Sequence, residues 1–399
     1  MKALEGIKVI DLTHMLSGPY GTMLLADLGA TTIKVEPPGR GEGTRKLLAD
    51  NPRYSVKGMG AYFFTLNRNK RSVCIDLKSE QGKAVFLDLV RACDVVFDNF
   101  SAGVPARLGI DHEALAAVNP RIITCSVTGF GETGPDNLRP AFDQVIQGMG
   151  GGMSITGYPD GGPLRAGIPI GDLAGGMFGA MGVLSALVAR EKTGKGQHLD
   201  VSMLDCQISL LNYMATMFFL SGENPHPLGN GHFVHVPYNT FATSDGWIII
   251  AVIFDSFWLN LLKVIDVPEL RIEKYHTQPG RFEDREFINA RLGEVLRTNT
   301  TEHWLRELRA ERIPCAPVNN FEQALNDSQV RYRNMVVKVR HPENGEVEMP
   351  GNPIKMSETC EDSYAPPPLL GQDTDEVLRE LLGMDAERLR ALREAGVIG

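Results

Sequence analysis

An aspartate set among glycines is a carboxylate that a bulky ligand can approach closely, and Gly171-Asp172 followed by Gly175-Gly176 has that composition. The run Arg165-Ala-Gly-Ile-Pro-Ile-Gly-Asp172 leads into a stretch from Leu173 that reads as a helix, so Asp172 is equally an N-cap, a role at which Asp excels. Both readings stay open on these residues alone. A second candidate is the charge between residues 34 and 71. Nine bases (Lys34, Arg40, Arg45, Lys46, Arg53, Lys57, Arg68, Lys70, Arg71) face three acids (Glu36, Glu42, Asp50), a net of +6 that leaves the rest of the chain at −15. Such a segment is either a solvated basic surface or the seat of an anionic, phosphorylated ligand. His14 follows the first expected strand and either faces a crevice or is a satisfied strand-end histidine. Ser17, Ser126 and Ser154 lack a G-x-S-x-G elbow, which leaves a hydrolase triad unsupported.

These side chains need elements to hold them. Residues 7–12 read as a buried strand, 20–28 as a helix ended by Gly29, and 32–36 as a second strand stopped by Pro37-Pro38-Gly39. Strand 72–77, helix 79–92 and strands 94–98, 121–127 and 197–201 continue the alternation, which implies α/β architecture with a Rossmann-like, doubly wound parallel sheet. Ligands of such sheets sit beyond the C-terminal strand ends, and the basic segment follows two of them. A dinucleotide fingerprint is nevertheless absent: Ser17-Gly18-Pro19-Tyr20-Gly21 is not G-x-G-x-x-G, and Glu36 only superficially matches a ribose-binding acid. Residues 129–152 read as a glycine-rich loop, 173–190 as a helix whose glycines pack on another backbone, and 202–220 as one further helix.

A shift to Gly, Pro, Asn and His at 221–235 marks a boundary. The expected organisation is a large domain over 1–220, a smaller α+β domain over 221–330 with a hairpin at 238–252, and a segment 331–399 with two short strands and a charged terminal helix. The 399 residues carry a net charge of −9, which argues against a nucleic-acid partner. Six scattered cysteines (Cys74, Cys93, Cys125, Cys206, Cys315, Cys360) suggest neither a zinc site nor a disulfide framework, and point to reduced cytoplasmic thiols. The opening residues have no leader-like composition, and the apolar runs 213–220 and 247–254 fall short of a membrane span.

Several short motifs, in order along nearly the whole chain, resemble the class III CoA-transferases of the formyl-CoA transferase and carnitine CoA-transferase type. They are Asp11-Leu-Thr-His-Met-Leu-Ser-Gly-Pro19, Ala26-Asp-Leu-Gly-Ala30, Ile33-Lys-Val-Glu36, Asn67-Arg-Asn-Lys-Arg-Ser72, Asp98-Asn-Phe100, Gly171-Asp172, Thr193-Gly-Lys-Gly196, Ile313-Pro-Cys-Ala-Pro-Val318 and Pro368-Leu-Leu-Gly371. The resemblance implies an interlocked-ring homodimer whose large domain is built from both chain ends. It maps the nucleophile onto Asp172 and an assisting acid onto Asp143. It further implies coenzyme A contacts at His14, Leu16, Ile75, Lys78, Asn99, Phe100 and Arg107, with Arg139 as a further phosphate ligand, and a mobile loop at Gly229, Gly231 and His232. No permanently bound cofactor is implied; CoA and acyl-CoA are substrates, exchanged with carboxylic acids.

This sequence departs from the formyl-CoA pattern in three places. Pro37 stands where an adenine-stacking arginine is expected, with Arg40 as the substitute; the glycine loop is shortened; and Leu16 replaces a glutamine that touches small acyl groups. Leu16 disfavours formyl or oxalyl chemistry, and the 231–241 segment looks more like relatives that use succinyl-CoA and larger dicarboxylates. A related activity, 2-methylacyl-CoA racemisation, uses a His-Asp dipeptide where Phe142-Asp143 stands here. From another class altogether, a non-catalytic CoA-binding protein has no need of the retained Asp172.

Overall fold

The computed structural model describes residues 2–343, 345–359 and 363–399. Cys360 lies outside them. Two compact units result: one from Met1–Gly152, Arg165–Gly222 and Gln329–Gly399, the other from Met153–Leu164 and Glu223–Ser328.

Six strands form the sheet of the first unit: β1 (Lys8–Asp11), β2 (Thr31–Glu36), β3 (Lys70–Cys74), β4 (Val95–Asp98), β5 (Ile123–Thr128) and β6 (His198–Ser202). Every neighbouring pair is parallel and the order is β3-β2-β1-β4-β5-β6, the dinucleotide-fold order, with its reversal between β1 and β4. All residues of β4 and β5 are buried, as a parallel sheet covered on both faces requires. Successive side chains alternate between two cores. Ile10, Ile33 and Val96 join Phe86, Leu89, Leu115, Val377 and Leu378 on one face, while Val9, Val95, Phe97 and Cys125 join Leu25, Val183 and Leu187 on the other.

Helix α1 (Ser17–Asp27) follows β1. Residues 129–152 are not all loop: α2 (Asp143–Met149) forms there, with Ile146 wholly buried. The next helix, α3 (Ile170–Thr193), starts at Ile170, earlier than the Leu173 read from the sequence. Its glycines serve packing. A Cβ on Gly176 would lie 2.4 Å from the Ser17 carbonyl oxygen, and one on Gly175 would lie 2.7 Å from Ser17 Oγ, so both glycines let α1 and α3 touch rather than admit a ligand. By length and composition α3 could cross a membrane, but here Ala174, Gly175, Gly179, Ala180 and Val183 are buried within the unit. The helix expected over 202–220 is broken at Asn212 (φ 49°) into Met203–Leu211 and Tyr213–Ser221, bent by 69°.

After a hairpin (Val336–His341 and Gly345–Pro350), helices Thr374–Leu382 and Ala386–Glu394 cover the β3 edge. Ser72 N donates to Asp373 Oδ2 (2.8 Å), Asp76 N donates to the Val397 carbonyl oxygen (2.8 Å), and Ile75 bridges Ile398. The second unit holds a three-stranded antiparallel sheet, Cys315–Pro317 beside Trp247–Ala251 beside Tyr238–Ala242. It packs on Trp258, Leu261, Ile288, Leu292, Trp304 and Leu308.

Candidate functional site

Asp172 is not an N-cap. It occupies the third position of α3, whose N-cap is Pro169 and receives no side-chain bond. The first-turn N–H groups are served from outside the helix: Asp143 Oδ1 accepts from Gly171 N (2.8 Å) and Asp172 N (3.3 Å). Asp143 is steadied in turn by Gln147 Nε2, which donates to its Oδ2 (2.7 Å), while Gln147 Oε1 accepts from Ala166 N (2.8 Å). Gly171 permits this approach, since a Cβ there would come 3.1 Å from Asp143 Oδ1. Gln147 was not among the expected site residues, although its position one turn beyond Asp143 is a visible signal. Burial, and then the charge of Asp143, push the Asp172 carboxyl up to about 7. Near neutral pH this carboxylate is therefore basic and poorly solvated, the condition of a nucleophile or base rather than of a structural cap.

The C-terminal ends of β1, β2 and β4 open onto a cleft of about 700 Å³. Of the residues expected at CoA, it brings together His14, Arg40, Ile75, Lys78 and Phe100. Asn99 stands behind them as a clamp: its Oδ1 accepts from His14 N (2.9 Å) and its Nδ2 donates to the His14 carbonyl oxygen (2.8 Å). His14 lies against the Phe100 ring (5.8 Å between centroids), and burial followed by the Lys34 charge lowers its pKa. Lys46 and Glu42 also line the cleft and were not anticipated as contacts.

Leu16 is the residue before α1 and Arg107 sits exposed in the last turn of Val104–Leu108; neither lines the cleft. Arg139 is drawn away by Asp136 (2.8 Å) and lies over Phe130, so it is not gathered there either. Gly229, Gly231 and His232 belong to the second unit. There Gly229 packs on Tyr158, Gly231 N donates to the Leu228 carbonyl oxygen (3.0 Å), and His232 stacks on Phe233 and His235.

The basic segment is not one anion-binding surface, because most of its charge is consumed internally. Lys34 Nζ donates to the Thr13 carbonyl oxygen (2.8 Å), and Lys70 Nζ donates to Asp11 Oδ2 (2.9 Å). Arg45 grips both oxygens of Glu36, Arg68 both oxygens of Asp27, and Arg71 lies against Asp373, Glu376 and Glu380. Arg40 and Lys46 remain at the cleft, joined by Lys78. The grip on Glu36 also removes the acid that a dinucleotide ribose would need. Among the described residues, no His/Cys/Asp/Glu cluster is arranged to hold a metal ion.

Such a sheet, open at its switch point, defines the broad class of α/β proteins that bind small ligands at the C-terminal strand ends. Comparison with known proteins narrows the class. Residues 4–374 match CoA-transferase family III, and the chain belongs to that family. It is 34% identical to the succinyl-CoA:glutarate CoA-transferase of Homo sapiens over 399 residues, 100% of this chain and 90% of that one. To the acetyl-CoA:oxalate CoA-transferase of Acetobacter aceti it is 41% identical over 355 residues, covering 88% and 89%. A crystal structure of a CAIB/BAIF family protein from Brucella suis superposes with a TM-score of 0.85 at 35% identity, covering 95% of this chain and 99% of the other.

Proposed function

We propose that this CoA-transferase moves CoA from succinyl-CoA to a dicarboxylic acid with Asp172 as nucleophile. The observation that carries the reading is the Asp172 carboxylate, raised in basicity by burial and Asp143 at the start of a helix. An Asp172 oxygen attacks the thioester carbonyl carbon, forming an aspartyl-acyl anhydride and expelling the CoA thiolate. The thiolate attacks the Asp172 carbonyl, giving an aspartyl-CoA thioester and the free donor acid. The acceptor carboxylate then attacks that thioester to form a new anhydride and thiolate, and thiolate attack on the acceptor carbonyl releases the product and restores Asp172. The positive end of the α3 dipole favours the oxyanions of these steps. Asp143 acts as a positioning residue, holding that turn and tuning the basicity of Asp172.

The cleft takes the nucleotide end of CoA, with Lys78 and Arg40 on its phosphates and His14, Ile75 and Phe100 on its apolar and ring surfaces. The β1–α1 connection links cleft and nucleophile, since His14 lines the one and Ser17 touches Gly175, one turn from Asp172. We assign Leu16, on that connection, to the acyl chain and Arg107 and Arg139 to the outer phosphates of bound CoA. To the Gly229–Gly231–His232 segment of the second unit we assign a substrate-loop role. Succinyl-CoA is favoured by the full-length likeness to the human glutarate enzyme, and oxalate is the competing acceptor suggested by the Acetobacter aceti relative.

We place the reaction in the cytoplasm, in keeping with unpaired thiols at Cys74, Cys93, Cys125, Cys206 and Cys315. A homodimer is supported by the helix Tyr213–Ser221, which is apolar yet has no buried residue, with Phe219 and Leu220 about four-fifths exposed. Light scattering on the purified protein is expected to return twice the chain mass.

The deciding experiment incubates the enzyme with succinyl-CoA alone and then adds hydroxylamine. Mass spectrometry is expected to find a hydroxamate on Asp172, and label on any other residue would refute the assignment. A panel of mono- and dicarboxylates with succinyl-CoA then identifies the acceptor. Replacing Lys78 or Arg40 by Ala is expected to raise KM for the acyl-CoA by about 3–10-fold each, with kcat little changed, as befits single charge-assisted contacts.

A further inference from the structure

A second cavity of about 310 Å³ lies beside the sheet, lined by Asp98, His112, Thr124, Ser126, Glu132 and His198 among others, none of them used above. Asp98, the last residue of β4, is only 5% exposed. Its hydrogen-bond partners are uncharged: Ser126 Oγ donates to Oδ2 (2.8 Å) and Phe100 N donates to Oδ1 (3.1 Å). Burying a carboxylate with no cation bonded to it is costly, and such a group is retained where it serves a purpose.

Across the same cavity a second run of polar contacts faces Asp98: Glu132 Oε2 meets His198 Nε2 (2.5 Å), His198 Nδ1 meets Thr124 Oγ1 (2.8 Å), and Thr124 Oγ1 meets His112 Nδ1 (2.9 Å). The Thr124 hydroxyl carries one proton and faces two ring nitrogens, so it donates to one histidine and accepts from the other. Glu132 raises the pKa of His198, while burial and then His198 lower that of His112. His198 is therefore the donor to Thr124, and Thr124 donates to a neutral His112. Asp200 adds its charge at His198 and Asp111 at His112, while Glu132 and His198 act oppositely on Asp98. Burial, the leading cause, pushes Asp98 up to about 6.

The other side of Asp98 is the cleft. Its Oδ1 holds the backbone of Phe100, which lines the cleft, and the intervening Asn99 clamps His14 at both main-chain groups. We propose that Asp98 is a positioning residue for acyl-CoA: its carboxylate, bonded by the Ser126 hydroxyl and sharing a cavity with Glu132 and His198, holds the Asn99–Phe100 corner against His14, and its proton occupancy sets the affinity of the cleft. This rests on the assignment of the cleft to CoA. The ionised carboxylate makes the stronger, charge-assisted bond to Phe100 N, so affinity is highest above the Asp98 pKa and weakens as pH falls through it.

The test measures KM and kcat for acyl-CoA between about pH 5 and 8, across the Asp98 titration. Asp98→Ala is expected to raise KM about 10-fold with kcat within about 2-fold, the loss of a bond to a charged group. Asp98→Asn keeps an acceptor for Phe100 N and a donor toward Ser126; it is expected to recover most of the affinity at neutral pH and to lose the wild-type rise of KM near pH 6. The CoA phosphates titrate alike with every variant, so the difference between the wild-type and Asn curves isolates Asp98. An unchanged KM in the Ala variant, a fall in kcat alone, or an Asn curve that keeps the inflection overturns the proposal. Should the Ala variant not fold, Ser126→Ala serves: it removes a bond that holds the Asp98 pKa down, so the inflection is expected at higher pH, and an unmoved inflection counts against the idea. Calorimetry with CoA separates the two readings. Wild type that binds no CoA sinks the cleft assignment, whereas wild type and Asp98→Ala binding equally sink only this inference.

Discussion

Asp172→Asn is expected to lower kcat for CoA transfer by about 10⁴-fold or more, the scale of losing a covalent nucleophile. The substitution conserves shape and leaves CoA binding in place, so KM for the acyl-CoA is expected to stay within a few-fold. Stability is not expected to suffer. Asp172 caps nothing, and its charge lies half-buried near that of Asp143, so neutralising it relieves a repulsion; Tm is expected to be equal or higher. Loss of activity together with loss of folding would instead restore a structural role for Asp172. In the wild type kcat/KM is expected to rise as pH climbs through about 7, because the attacking group must be ionised. Asp143→Asn keeps an oxygen for Gly171 N while removing the charge that helps raise Asp172, so its profile is expected to shift to lower pH. A profile that moves upward or stays put would show that Asp143 does not tune the nucleophile.

The second large effect is on stability. Lys70→Met is expected to destabilise the protein by about 3–5 kcal/mol, the range for removing one partner of a buried ion pair. Lys70 is wholly buried and donates to Asp11 Oδ2, the Pro19 carbonyl oxygen, Thr22 Oγ1 and Asn67 Oδ1. Without Lys70, Asp11 keeps neutral donors in Thr13 and Thr22, and the cation left to it is Lys34 at 3.9 Å. Although burial alone would raise Asp11, Lys34 and Lys70 hold it down to about 2, so its contribution is complete above its unfolded value near 3.8 and fades as pH falls toward 2. Urea unfolding at neutral pH reads the loss, and a midpoint within error of wild type would mean that Lys34 compensates. Because the same node ties β1 to α1, the variant is also expected to bind CoA more weakly.

Much of this was legible from residue order. Buried β-branched runs between helical patterns placed all six sheet strands to within a few residues, because alternation of period and length is a local property. What failed was local in description but tertiary in cause. Residue order left the +6 segment open between a solvated surface and an anion seat, since counting charges ignores pairing, and Lys34, Arg45, Arg68, Lys70 and Arg71 find their acids only after folding. Helix α2 lies in a glycine-rich stretch of weak propensity and is held by Ile146 in the core and Gln147 on Ala166. The glycines after Asp172 suggested room for a ligand, whereas Ser17 occupies that room. Asp172 was visible from its Gly-Asp setting, but nothing short of the fold could show that Asp143 supplies the cap Asp172 seemed to be.

The return of the C-terminal segment to the β3 edge has a kinetic consequence. Ser72 is bonded both to Gly371 N and, through its own N–H, to Asp373, contacts that join residues about 300 positions apart. During synthesis the first sheet leaves the ribosome with one edge unsatisfied, and that edge stays open to foreign strands until the final helices emerge. The chain is therefore expected to fold slowly, to aggregate when translation stalls late, and to benefit from chaperones.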